Sequence, residues 1–155
     1  MTHAAELVET WEINHRVNEK ILDWLPEEAL EVRSRPRARS VGDNLAHMHT
    51  VRVMHLEKRW PKLRGDLQKV AKGEHGDIAN LRGMMEGSAA RISDALREAC
   101  DAGKVRSWKR GVPSFLGYLL SHEAHHRGQI LLMLKLGGVK APKDFGYSIW
   151  DWPRI

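Results

Sequence analysis

The chain of 155 residues carries 25 Lys and Arg against 20 Asp and Glu, a formal charge of +5, with 42% hydrophobic and 29% charged residues. That balance excludes a disordered or collagen-like chain and predicts one globular domain over residues 1–155. No apolar run reaches the ~18 residues that span a bilayer, the opening MTHAAELVETWE lacks the basic-then-apolar pattern of a secretion signal, and the lone Cys100 forms no internal disulfide, so we expect a cytoplasmic protein with no membrane partner.

In chain order, residues 3 to 25 carry the first helical pattern, with Leu7, Trp11, Leu22 and Leu25 on one face and Pro26 as its stop. Asn14, His15 and Asn18 fall on that same face. They either mark its edge, the reading preferred from sequence, or line a polar cavity inside a bundle. A connection follows from Pro26 to Arg39, rich in arginine. Ser40 with Asp43 three residues on resembles a capping box and opens a second helix, about Val41 to Arg59. Its expected apolar side is Val41, Leu45, Met48, Val51 and Met54. His47 borders that stripe, His55 sits nearer its middle, and His49 points nearly opposite. Spacing alone leaves His47 and His55 as alternative ligands.

A polar connection from Pro61 to Gly76 leads to a third helix, about Asp77 to Ala102, ended by Gly103 and carrying no histidine. Gly111-Val-Pro113 then precedes a fourth, Ser114 to Gly137, with Ser114 as its expected cap. The tail VKAPKDFGYSIWDWPRI, with Trp150 and Trp152, is expected to fold back as extended chain against the bundle or a partner. Four amphipathic helices without strands predict an all-α, four-helix bundle.

The fourth helix carries the chemistry. At ~100° per residue, Phe115, Tyr118, Leu119, His126, Gln129, Ile130, Met133 and Leu136 fall within roughly 80° of His122. This places His122 and His126 at the centre of the expected apolar stripe. Two imidazoles at i and i+4 are spaced to grip one cation, and each left alone in an apolar interior would cost on the order of 1–3 kcal/mol. His125 lies ~60° to one side, a surface or supporting position. Proton competition for ligating imidazoles is expected below their reference pKa of ~6.5.

The excess positive charge does not point to nucleic acid. The basic residues are dispersed, and the dense Arg33 to Arg39 stretch has no interleaved aromatics. No phosphate-binding glycine loop, Cys-x-x-Cys pair or Gly-x-Ser-x-Gly elbow occurs.

The phrases HEAHHRGQI, followed by LKLGG, and SVGDNLAHMH resemble the signatures of the DinB/YfiT-like metalloenzymes over nearly the whole chain. That resemblance implies a four-helix bundle holding a divalent metal, zinc or nickel, through three histidines. Matched residue by residue, these are His47, His122 and His126, so the resemblance selects His47 over His55. Val51 stands where some relatives have a glutamate, and no catalytic residue or general base is assigned. A metal with three protein ligands and open positions suits catalysis rather than structure. The expected function is therefore a metal-dependent enzyme on a small-molecule substrate, either an S-transferase using a low-molecular-weight thiol or a hydrolase. The alternative is a non-catalytic metal-binding stress-response bundle acting through a protein partner. A homodimer is expected from the tail tryptophans and from the resemblance.

Overall fold

The computed structural model describes residues 2–155, and its architecture follows from where helices can start and stop. Thr2 Oγ1 accepts from the Ala5 amide and opens α1 (His3–Trp24). Pro26 then diverts the chain into one 3-10 turn, Glu27–Glu31. Ser40 and Asp43 form the reciprocal capping box at α2 (Val41–Arg59), leaving neither donor orphaned at the helix start. A single turn, α3 (Pro61–Arg64), begins the long connection that ends at Asp77, whose carboxylate caps α4 (Ile78–Ala102). Gly103, at φ 65°, closes α4 in the left-handed conformation that favours glycine. The fourth long helix, α5 (Val112–Leu136), starts two residues earlier than expected. Gly111 rather than Ser114 stands at its cap, because Pro113 suits the first turn, where its missing N–H costs nothing.

Helices α1 and α2 each pack on both α4 and α5, so α1 and α2 lie diagonally across a four-helix bundle. Among the described residues there is no strand, only an isolated bridge between Arg33 and Ser40. The apolar core is in two parts. One, at the end where the 3-10 turn lies, gathers Ile21, Leu30, Leu45, Met85 and Ile130. The other gathers Trp11, Leu56, Ile92, Leu96 and Phe115. Asn14, Asn18, Arg52 and Glu123 are fully buried between them.

Two apolar stripes are rotated from their expected positions. On α2 the buried side is Val41, Leu45, Met48, Arg52, Val53 and Leu56, while Met54 is 51% exposed. On α5 the buried side is Phe115, Leu116, Leu119, Glu123, His126, Ile130 and Met133, which centres it ~70° from His122. Tyr118, Gln129 and Leu136 are exposed. His122 therefore lies at the rim of the core, whereas His126 stays within its buried side.

The tail does return to the bundle, but not as extended chain. Phe145 starts the turn α6 (Phe145–Ser148), is buried, and meets Trp24 edge-on at 5.0 Å. A second 3-10 turn, Trp152–Arg154, follows, and Trp150 remains 77% exposed.

Candidate metal centre

One turn of α2 and two turns of α5 bring three imidazoles together. His47, His122 and His126 each offer a ring nitrogen, and these nitrogens all lie within 4.8 Å of one another. Ring centroids are 5.4 Å apart for His47 and His122, 4.8 Å for His47 and His126, and 4.6 Å for His122 and His126. His55, the alternative that spacing left open, is elsewhere. Its ring meets Phe115 and Tyr118 edge-on, and its Nδ1 accepts from Arg59 Nη1 at 2.9 Å. His49 is buried on the other side of α2, with Nε2 2.8 Å from the Gln68 carbonyl oxygen. His125 is exposed beside His126.

The surroundings of His126 fix which nitrogen is free. Its Nδ1 lies 3.0 Å from Asn44 Oδ1 and 3.1 Å from Gln129 Oε1. Asn44 in turn donates through Nδ2 to the Ser40 carbonyl at 2.9 Å, which orients its amide with the oxygen towards the ring. His126 Nδ1 is thereby the protonated nitrogen, and Nε2 presents a lone pair towards His122 Nε2 at 3.2 Å. Two Zn–N bonds of ~2.0–2.1 Å at a tetrahedral angle put ligand nitrogens about 3.3 Å apart, so the donor set fits a divalent cation.

Electrostatics keep the rings neutral. Burial pushes His126 down to about 4, with His122 and His47 adding to the effect. Burial and then the Arg39 charge push His47 down to about 4. Burial lowers His122 as well, against the opposing pull of Glu123. Neutral imidazole is the ligating form, so the apoprotein holds the triad ready for a cation.

Beneath the triad lies a group of residues whose arrangement the sequence did not reveal. Glu123 sits between the two α5 histidines in sequence but points into the bundle. Arg52 grips it with two hydrogen bonds, Nε to Oε1 at 2.6 Å and Nη2 to Oε2 at 3.0 Å. Asn14 and Asn18 donate to the same carboxylate at 2.7 and 2.8 Å, and accept from Arg127 Nη1 at 2.8 and 3.0 Å. Arg52 also donates to the Met85 carbonyl and lies over the Trp11 ring. Burial pushes the Glu123 carboxyl up, but Arg52, Asn18 and Arg127 together more than reverse this and hold it below the usual carboxylate range. Asn14 and Asn18 thus belong to a buried polar cavity rather than to the edge of the stripe. His15 is largely buried, with Nε2 3.7 Å from Glu19 Oε1. A sequence signal existed for Asn44, which stands one turn before His47.

The triad opens beside a cleft of about 380 Å³ lined by Arg35, Arg39, Asn44, Gln129, Leu132 and Leu136, among others. Asn44 and Gln129 belong to both, since they are also the partners of His126. Among the described residues, no carboxylate lines the cleft.

Residues 1–152 match the DinB family. The chain belongs to the DinB family. Among solved structures, a DinB-like protein from Bacillus cereus ATCC 10987 is similar in fold, with a TM-score of 0.58 and 18% identity over 88% of this chain and 93% of that one. No curated protein sequence matches. The helical architecture expected from the sequence is therefore that of a DinB-like bundle. In this DinB chain the three histidines singled out by motif are the ones brought within reach of one cation. Among the described residues, no helix is long and apolar enough to cross a membrane.

Proposed function

We propose that this DinB-family chain is a divalent-metal-dependent enzyme acting on a small molecule, with His47, His122 and His126 as its metal ligands. The observation that carries the reading is the set of three neutral imidazole nitrogens from two helices, within 4.8 Å of one another and beside an open cleft. Held by His47, His122 and His126, a divalent cation such as zinc or nickel would supply Lewis-acid chemistry there and would lower the pKa of a thiol or water.

The residues of the chain favour a thiol over water. The buried carboxylate nearest in sequence, Glu123, is consumed by Arg52, Asn14 and Asn18, and Val51 contributes no acid or base. With no carboxylate in the cleft to take a proton, the group that ionises more readily is preferred. A thiol at ~8.5 needs far less assistance than water at ~15.7. Asn44 and Gln129 keep the His126 tautomer fixed, and the Arg39 charge favours an anionic nucleophile near His47. In the transfer the thiol proton passes to solvent, the sulfur bonds to the electrophilic carbon, and the leaving group departs with its electron pair.

Metal-loaded protein is to be presented with pairs of low-molecular-weight thiol and alkyl or epoxide electrophile, and separately with activated esters. We expect thioether formation that disappears in His126→Ala. Ester cleavage alone would make the chain a hydrolase. No turnover in either panel would leave the non-catalytic bundle with a protein partner as the better reading.

A further inference from the structure

The connection between the first two long helices sorts its four arginines by what they touch. Arg33 is a staple. Its Nη1 donates to the Ala38 carbonyl at 2.9 Å and to Asp43 Oδ2 at 3.3 Å, and its Nη2 reaches Glu31 at 3.2 Å. Arg37 is fixed through its backbone, where its carbonyl accepts from Lys72 Nζ at 2.6 Å. The guanidinium groups of Arg35 and Arg39 make no hydrogen bond or ion pair among the described residues, and both residues line the cleft beside the triad.

The loop that presents them is built rather than loose. It is closed by the Arg33–Ser40 bridge and by the Val41 amide bonded to the Val32 carbonyl at 3.0 Å, and the Ala38 amide turns back onto the Arg35 carbonyl at 3.1 Å. Asp43 ties its far end to the next connection by accepting from the Gly73 amide. The opposite wall is apolar and unusually open to water, with Leu132 57% and Leu136 73% exposed. Two uncommitted guanidinium groups facing exposed leucines across a cleft match a ligand that is charged at one end and apolar along its body.

We propose that this cleft is an anion subsite: it receives the carboxylate or other small oxyanion of a ligand whose apolar body lies on Leu132 and Leu136 and whose reactive end reaches the histidine triad. The proposal rests on the metal-site reading above for the reactive end, and on Arg35 and Arg39 alone for the charged end. Asn44 and Gln129 connect the two, since each touches His126 and lines the cleft.

The test loads the protein with cobalt(II) and follows the visible spectrum while 3-mercaptopropionate, 2-mercaptoethylphosphonate and the neutral 3-mercaptopropanamide are titrated in. At least one anionic thiol should bind on the order of tenfold tighter than the amide, with the gap closing as salt is raised. Carboxylate against phosphonate identifies the oxyanion. In Arg35→Gln/Arg39→Gln the gap should vanish while cobalt content stays unchanged. Equal affinities in the unaltered protein, or a preference that survives in the double variant, would overturn the subsite.

A second arm is independent of the metal. Calorimetry of metal-free protein with 4-methylpentanoate, 3-methylbutylphosphonate and the neutral 4-methylpentanamide should show binding of at least one oxyanion and not of the amide, and loss of that binding in the double variant. Failure to bind cobalt with this arm intact would sink the metal reading and leave the subsite standing. Binding of neither oxyanion in this arm would sink the subsite whatever cobalt does.

Discussion

The ligand set stands or falls on single side chains. Alanine at His47, His122 or His126 should each abolish stoichiometric metal, whereas alanine at His55 should leave it in place, because His55 is turned towards Arg59 and Phe115. Elemental analysis of the purified variants decides this, and full occupancy in His122→Ala would eliminate the site. The pH dependence shifts from the value the reference pKa suggests. His47 and His126 sit at about 4 in the folded chain and ~6.5 unfolded, so between those values the unfolded chain binds more protons. Stability of the metal-free protein should accordingly fall as pH drops from ~6.5 towards ~4, with metal affinity holding to lower pH than free imidazole would allow. Chemical denaturation at several pH values checks the first, and a metal affinity that collapses already near pH 6.5 would contradict the second. The His122/His126 pair was legible because i, i+4 spacing is a geometric fact of a helix. The choice between His47 and His55 was not legible in spacing, since both lie near one face and only tertiary packing turns His55 away; the family resemblance selected His47.

At the scale of the elements, the helices were readable from their caps and periodicity, and their rotations were not. The expected stripe of α2 was drawn from apolar residues alone; Arg52 and Arg59 are buried, and leaving them out displaced it towards Met54. Glu123 misled in the same way on α5. A charged residue reads as surface unless its partner is visible, and here the partner is 71 positions away in sequence. The pairing yields a firm expectation. Glu123→Ala leaves the Arg52 guanidinium, 1% exposed, without its counter-charge. That should cost about 3–5 kcal/mol, read as a lower denaturant midpoint. A loss below ~1 kcal/mol would mean that water enters the cavity freely. The variant should also bind metal more weakly, because the α5 backbone that carries His122 and His126 is held against α1 and α2 at this point.

For the molecule as a whole, the tail leaves a surface that invites a second copy. Phe145 is buried and Val139 and Ile149 pack partly on the same core, but Tyr147 is 84% exposed and Trp150 77%, so the tail presents these two rings outward. Burying such rings is worth about 25 cal/mol per Å² of apolar area, and a two-fold pairing is the commonest way to do so. We expect a dimer in sedimentation that dissociates in Tyr147→Ser/Trp150→Ser. A monomeric unaltered chain would refute it, and a dimer in both would move the contact onto the helices.

The polar layer between the two apolar halves has a further consequence, in time. Arg52 and Glu123 lie on different helices far apart in the chain, so they cannot meet until α2 and α5 are docked. Docking strips water from both charges before either has its partner, at a cost of several kcal/mol per ion. The closing of the bundle therefore crosses a crest that both directions share. A bundle rich in local contacts would otherwise fold in microseconds to milliseconds. This one should close slowly and, once closed, reopen slowly, giving it a native lifetime longer than its equilibrium stability alone would suggest. Replacing the pair by Arg52→Met/Glu123→Leu should quicken both limbs of the chevron, and unchanged limbs would place the crest elsewhere.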